Sequence, residues 1–328
     1  MGETWLDARS WYYKPSVGNR WDERFRGKRF DSYLGRSSHP TQNHVLKLFL
    51  RIYLNPVKKS DRPSGIDGNK KSFPLKDWTP KGFAKFREEF EKQSRLWNHR
   101  FWLVPPKFFT IGDISQGGRF VRPNIACMLF TELTESPGSA HRTVDAYNID
   151  VDEVKRRDDA DDDNPYLGNF RSNDRHITAR DVNTGPRTYE INEEGDTYRI
   201  EHHYTIAHEI GHAIGLPHIG VAKHTKECAM ALQFAKDKTP LSKVPLEKRG
   251  GRNADVCYGT HDSANLIVNI MGKGYKFEEI NAVPWKKRVA IHTNTLASDW
   301  KVSLVMLHPQ AVSEKDRHAV NQRKWISM

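Results

Sequence analysis

The chain has 328 residues, of which 37% are hydrophobic and 28% charged, and its formal net charge is +11. That length suits one large domain or two smaller ones, and the lack of any run of about 18 apolar residues argues against a membrane-spanning helix. The 3 cysteines are too few for a disulfide framework, while the positive charge favours anionic contacts without choosing among nucleic acid, acidic proteins and bacterial envelopes.

Residues 1–40 form an aromatic and basic N-terminal extension, with Trp5, Trp11, Tyr12, Tyr13 and Trp21 set among Arg9, Lys14, Arg20 and Arg24. Such interleaving can bind nucleic acid by stacking and charge. The simpler reading is an irregular segment whose aromatics pack onto the domain, so nucleic acid is not the expected partner; a delivery or partner-binding segment is the third reading. The first residues lack the apolar stretch of a signal peptide. The expectation is an intracellular protein, one exported by a route without a cleaved signal, or a mature form.

In residues 45–54, Leu46, Leu48, Leu50, Ile52 and Leu54 alternate onto one face, which predicts a core strand. Thr79-Pro80 then supplies an N-cap and a first helical residue, and Phe83, Phe86, Phe90 and Trp97 recur at near-helical spacing. Further strands are predicted at 101–104, 125–133 and 142–149. Residues 150–163 carry eight acids against Lys155, Arg156 and Arg157. Charge runs of this kind are usually solvated, although carboxylate-rich loops can also hold Ca2+.

A helix predicted over 197–215 carries the sequence His208-Glu209-Ile210-Gly211-His212-Ala213-Ile214-Gly215-Leu216-Pro217-His218. A helix sets residues i and i+4 on one face, about 5–6 Å apart, so His208 and His212 can share one metal ion. Glu209 stands beside a ligand. Gly215 can leave the helix with positive φ, Pro217 discourages further helix, and the turn can return His218 as a third ligand. His202 and His203 are assigned no chemistry. The basic loop 236–252 is read as solvated, with a preference for acidic substrates as the lesser alternative. Residues 277–292 predict a helix beginning near Pro284, and 309–328 form a polar tail.

The pattern H-E-x-x-H-x-x-G-x-x-H resembles the metzincin clan of zinc endopeptidases, in which it is followed by a tight turn whose methionine lies beneath the metal. Asn269-Ile270-Met271-Gly272 fits that turn. The resemblance covers the motif, the turn and the order of elements, and excludes the first forty and last thirty residues. Ile219 after the third histidine matches none of the better-known subfamilies, and Lys273 stands two residues after the Met where some families have Tyr.

The resemblance implies an α+β fold: a twisted mixed sheet with a backing helix and the active-site helix (41–218), over a smaller, mostly irregular lower subdomain ending in a helix (219–308). It implies one catalytic Zn2+ on His208, His212 and His218, Glu209 as general base, a protein or peptide substrate, and Tyr275 as a candidate oxyanion stabiliser. Structural Ca2+ occurs in several members, which bears on the acidic segment. Cys228 and Cys257 both fall in the lower subdomain, as a bridge stapling a long loop or as free thiols; Cys127 reads as core. Without a signal peptide, a delivered effector or toxin protease fits better than a digestive enzyme. The alternative is an inactive metzincin scaffold that binds zinc or a partner, against which intact Glu209 argues.

Overall fold

The structure is a computed structural model describing residues 22–36, 43–60, 64–66, 72–106, 114–116, 119–152, 172–190, 197–260 and 264–312. It is α+β, with an eight-stranded mixed sheet as its largest element. The strands of that sheet are β1 (Arg24–Phe25), β2 (Asp31–Gly35), β3 (His44–Pro56), β4 (Trp102–Val104), β5 (Ile125–Leu133), β6 (Arg142–Tyr147), β7 (His176–Thr178) and β8 (Lys301–Ser303).

The order β1-β2-β3-β5-β4-β8 runs along the sheet, and β3 is long enough to take β6 beyond its pairing with β2. Pairings of β3 with β5 and β6, and of β6 with β7, are parallel; the others are antiparallel. The alternation read in β3 is realised. Leu46, Leu48, Leu50, Ile52 and Leu54 are all buried, and the intervening residues are half-buried.

Helix α1 (Pro80–Ser94) begins where Thr79 and Pro80 predict, with Thr79 Oγ1 accepting the Gly82 N–H at 3.0 Å. It buries Phe86 and Phe90. Trp97 follows and stacks in a cluster with Phe101, Phe277 and Trp285. The Trp97 indole N–H donates to the Ala207 carbonyl at 3.0 Å, so the aromatic core grips the next helix directly. That helix, α2 (Thr205–Ala213), is nearly all buried. It is shorter than the predicted 197–215, because Thr197–Ile200 instead pairs antiparallel with Arg187–Glu190. Next come α3 (Lys226–Lys236), a series of one-turn 3-10 segments, and α4 (Val283–Thr293), which starts one residue before Pro284.

Three boundaries differ from the sequence reading. Asp31–Gly35 is hydrogen-bonded into the main sheet, so residues 22–36 belong to the domain and not to an N-terminal extension; residues 1–21 lie outside the described residues. Strand β2 escapes periodicity analysis because it buries polar groups. Asp31 accepts from Gly27 N at 3.0 Å and Arg51 Nη1 at 2.9 Å, and Ser32 Oγ lies 3.1 Å from His292 Nε2. The segment after 277 does not stay with a lower subdomain either. Trp285 fills the main core, and β8 pairs with β4. Gln310–Val312, expected in the tail, pairs with Arg119–Arg122 in a small sheet.

The part that does stand apart is 219–260, with its own small core of Cys228, Ala231, Ala254, Val256 and Cys257. Cys228 and Cys257 are joined by a disulfide, and Cys127 is a buried free thiol in the main core. Among the described residues, no helix is long and apolar enough to cross a membrane.

Candidate metal centre

Helix α2 presents His208 and His212 one turn apart and then ends abruptly. Gly215 takes φ +99°, the Gly215 N–H donates to His212 O at 2.9 Å, and the Leu216 N–H reaches back to Gly211 O at 2.9 Å. This pair of bonds is the left-handed helix stop that glycine favours, and it turns the chain through Pro217 so that His218 faces the helix.

The three imidazole Nε2 atoms converge. His212 Nε2 lies 3.1 Å from His208 Nε2 and 3.0 Å from His218 Nε2. Each Nδ1 faces a main-chain carbonyl: Ile270 O at 2.8 Å from His208, Leu216 O at 2.7 Å from His212, and Arg252 O at 2.8 Å from His218. A carbonyl only accepts, so each Nδ1 carries the proton. Burial holds His208 and His218 well below the ordinary histidine pKa, with His212 reinforcing the effect, and burial also lowers His212. Neutral rings protonated at Nδ1 leave three bare Nε2 lone pairs pointing at one another. Such a cluster is repulsive alone and suits a soft-to-borderline cation such as zinc. Among the described residues, this is the one group of three or more His, Cys, Asp or Glu side chains close enough to hold a metal.

Glu209 is buried beside the triad, and its Oε2 has no hydrogen-bond partner within the protein. A buried, unpartnered carboxylate oxygen is costly, and its position next to the ligands fits a water held there by a cation. Burial raises the Glu209 pKa well above the carboxylate range, and Asp181 and Asp174 push it the same way. A dication at the triad would act in the opposite direction. The donor set, the bare lone pairs and the orphaned oxygen therefore all fit the group.

Met271 lies beneath the helix. A side chain on Gly211 would run into its sulfur and come within 3.0 Å of Trp97, so only glycine lets Met271 pack there. The turn carrying it is rigid. Met271 N–H donates to Asn269 Oδ1 at 2.8 Å, Gly272 N–H to Asn269 O at 2.8 Å, and Ile219 N–H to Met271 O at 3.0 Å. Asn269 and Asn281 exchange side-chain amide bonds at 3.1 and 3.2 Å, both fully buried. The carbonyl that orients His208 belongs to Ile270 in this same turn.

Tyr275 is not beside the triad's cleft; its ring meets His202 edge-on, with ring centres 5.6 Å apart. The tyrosine at the site is Tyr258, whose ring centre lies 3.8 Å from that of His218 and 5.9 Å from that of His208. Nothing local in the sequence marks Tyr258 except its place next to Cys257. The Arg252 carbonyl was equally invisible, since a backbone acceptor has no sequence signature. His203 Nδ1 lies 2.6 Å from Lys273 O and brackets the turn from the far side. Of the acidic segment, residues 153–163 lie outside the described residues, and with them the Ca2+ expectation.

Glu209, His212, His218 and Tyr258 open into a cleft of about 730 Å³ whose other walls include Arg29, Arg142, Asp174 and Arg252. No protein-family model, curated protein or solved structure matches the chain.

Proposed function

We propose that the chain is a zinc-dependent endopeptidase with a metzincin-like active site. The observation that carries the reading is the convergence of three neutral imidazoles beside an unpartnered buried carboxylate at the wall of an open cleft. The turn that seats Met271 under Gly211 supports the family likeness, as does the α+β sheet with a backing helix.

His208, His212 and His218 would hold the ion through Nε2, and the carbonyls of Ile270, Leu216 and Arg252 fix the ring orientations. Zinc, if held there, would act as a Lewis acid and lower the pKa of the attacking water to about 7. Glu209 then accepts the proton of the attacking water and passes it to the leaving amine. Its burial favours this role, because a buried carboxylate readily takes up a proton. Tyr258 packs on the His218 ring and closes one side of the cleft. A protein or peptide chain is the substrate class that an open cleft beside such a site admits, and delivery into a target cell as an effector is compatible with it.

The test is cleavage of casein or a peptide library by the purified protein. The expected result is hydrolysis that 1,10-phenanthroline abolishes and added zinc restores. A protein that binds one zinc ion yet cleaves nothing would favour a zinc-binding scaffold without activity.

A further inference from the structure

We infer that the Cys228–Cys257 disulfide holds the third ligand of the triad in place, so that the site keeps its metal in oxidising surroundings and releases it when a dithiol reduces the bridge. The inference rests on the proposed function only for a metal at the triad. Its own content is when that metal is held.

The acceptor and the cover of His218 both come from the stapled unit. Its Nδ1–H donates to Arg252 O at 2.8 Å, and its ring lies against that of Tyr258, with ring centres 3.8 Å apart. Arg252 lies inside the loop that the bridge closes, and Tyr258 directly follows Cys257. Two residues after His218, Gly220 packs on the bridge itself: a methyl group there would sit 2.9 Å from Cys257 O and 3.0 Å from Cys257 Cα. Cys228 reaches the same stretch from the other end. It stands in the first turn of α3, where Thr225 Oγ1 accepts its N–H at 3.4 Å, and the Thr225 N–H donates to Gly220 O at 3.0 Å. Both halves of the disulfide therefore bear on the chain just after His218.

His208 and His212 are held differently. Their acceptors, Ile270 O and Leu216 O, lie outside 219–260, and their helix is packed into the main core through Ile206, Ala207 and Ile210. Opening of the stapled unit thus disorders one ligand and leaves two. Loss of the group that orients a metal ligand costs about 10–100-fold in affinity.

The unit can open by itself, because its small core is separate from the main one and small clusters open at lower cost than the whole fold. Both sulfurs are buried, Cys228 being 1% and Cys257 0% exposed, so a reductant reaches them only in the opened unit. There a thiolate of the dithiol attacks one sulfur, the S–S bond breaks and a mixed disulfide forms. The second thiol of the reductant closes on it, which leaves two cysteine thiols and a cyclic disulfide, with two electrons and two protons transferred. Cys127, a free thiol in the main core, takes no part. Coupling between two sites is reciprocal, so a metal that binds the closed unit better must also protect the bridge by the same factor.

The test has two arms. In the first, zinc affinity is measured by chelator competition for the oxidised protein and for Cys228→Ser/Cys257→Ser, which lacks the bridge and adds no thiolate ligand. The variant should bind at least about tenfold more weakly, with an unchanged circular dichroism spectrum. In the second, the unsubstituted protein is reduced by a phosphine, used because dithiols bind zinc, and the appearance of thiols is followed. One equivalent of zinc should slow the initial rate about tenfold, and it should give no protection in His218→Ala. Equal zinc affinity with and without the bridge, a reduction rate indifferent to zinc, or equal protection in His218→Ala would each overturn the inference. Loss of the main fold in the serine variant would do so too, since the bridge would then hold the fold and not the ligand. A protein that behaves as expected in both arms yet cleaves no peptide would sink the endopeptidase reading alone. Full hydrolysis and undiminished zinc affinity in the serine variant would sink this inference alone.

Discussion

Each Nδ1–H of the triad is engaged by a different carbonyl, one from the methionine turn, one from the helix stop and one from the loop before Tyr258. These bonds aim the rings, while burial, against the carbonyls' pull toward protonation, keeps them neutral. This has a consequence for the metal-free protein. Burial depresses the folded-state pKa of His208, His212 and His218, and also of His44 and His141. Below the ordinary histidine value of about 6.5 the unfolded chain takes up protons that the folded chain refuses. Stability is therefore full above that value and is lost as pH falls, by at most about 1.4 kcal/mol per pH unit for each histidine charged only when unfolded. Glu209 works the other way: its raised pKa lets the folded state hold a proton that the unfolded chain has lost, so acidification through that window favours folding. The metal-free protein should thus melt at a lower temperature at pH 5.5 than at pH 7.5, and more steeply so in Glu209→Gln, where the opposing group is gone. Calorimetry in chelator across that range is the measurement, and a flat profile would contradict a neutral, buried triad.

Among the elements, the methionine turn and the stapled 219–260 unit set the site's rigidity. Asn281→Ala would leave the Asn269 side-chain NH2 without its Asn281 acceptor in the core, at a cost of about 1–3 kcal/mol. Because Ile270 sits in that turn, zinc affinity in a chelator competition should fall together with the denaturant midpoint. A loss of stability with unchanged zinc affinity would uncouple the turn from the ligands. The disulfide joins residues 29 apart in sequence, for which chain entropy alone gives about 3–4 kcal/mol. Reduction should lower the unfolding midpoint accordingly and loosen Arg252 and Tyr258, which follow from the same loop.

The convergence of the three histidines, the helix stop, β3 and α1 were legible because each is carried by local pattern: fixed spacing, alternation, or an N-cap before proline. Strand β2 was not, because its buried Asp31 and Ser32 read as surface. The 3-10 segments around Tyr258 have no period to detect, and the true position of Tyr275 depends on how the turn places its side chain, which spacing from Met271 does not determine.

At the scale of the molecule, the chain closes one sheet from both ends. Strand β2 near the start and β8 near the end flank the central β3 and β5, and Trp285 and Trp300 are buried in the core they share. The cleft is lined from the sheet edge, the helix stop and the disulfide-stapled unit. The proposed function requires Glu209 to meet a water at the triad, and this is the claim most directly open to measurement. Parent and Glu209→Gln proteins should each bind one zinc ion and give the same circular dichroism spectrum, while peptide hydrolysis should fall by at least about 100-fold in the variant, as for loss of a general base. A variant that folds, binds zinc and cleaves as fast as the parent would contradict the account.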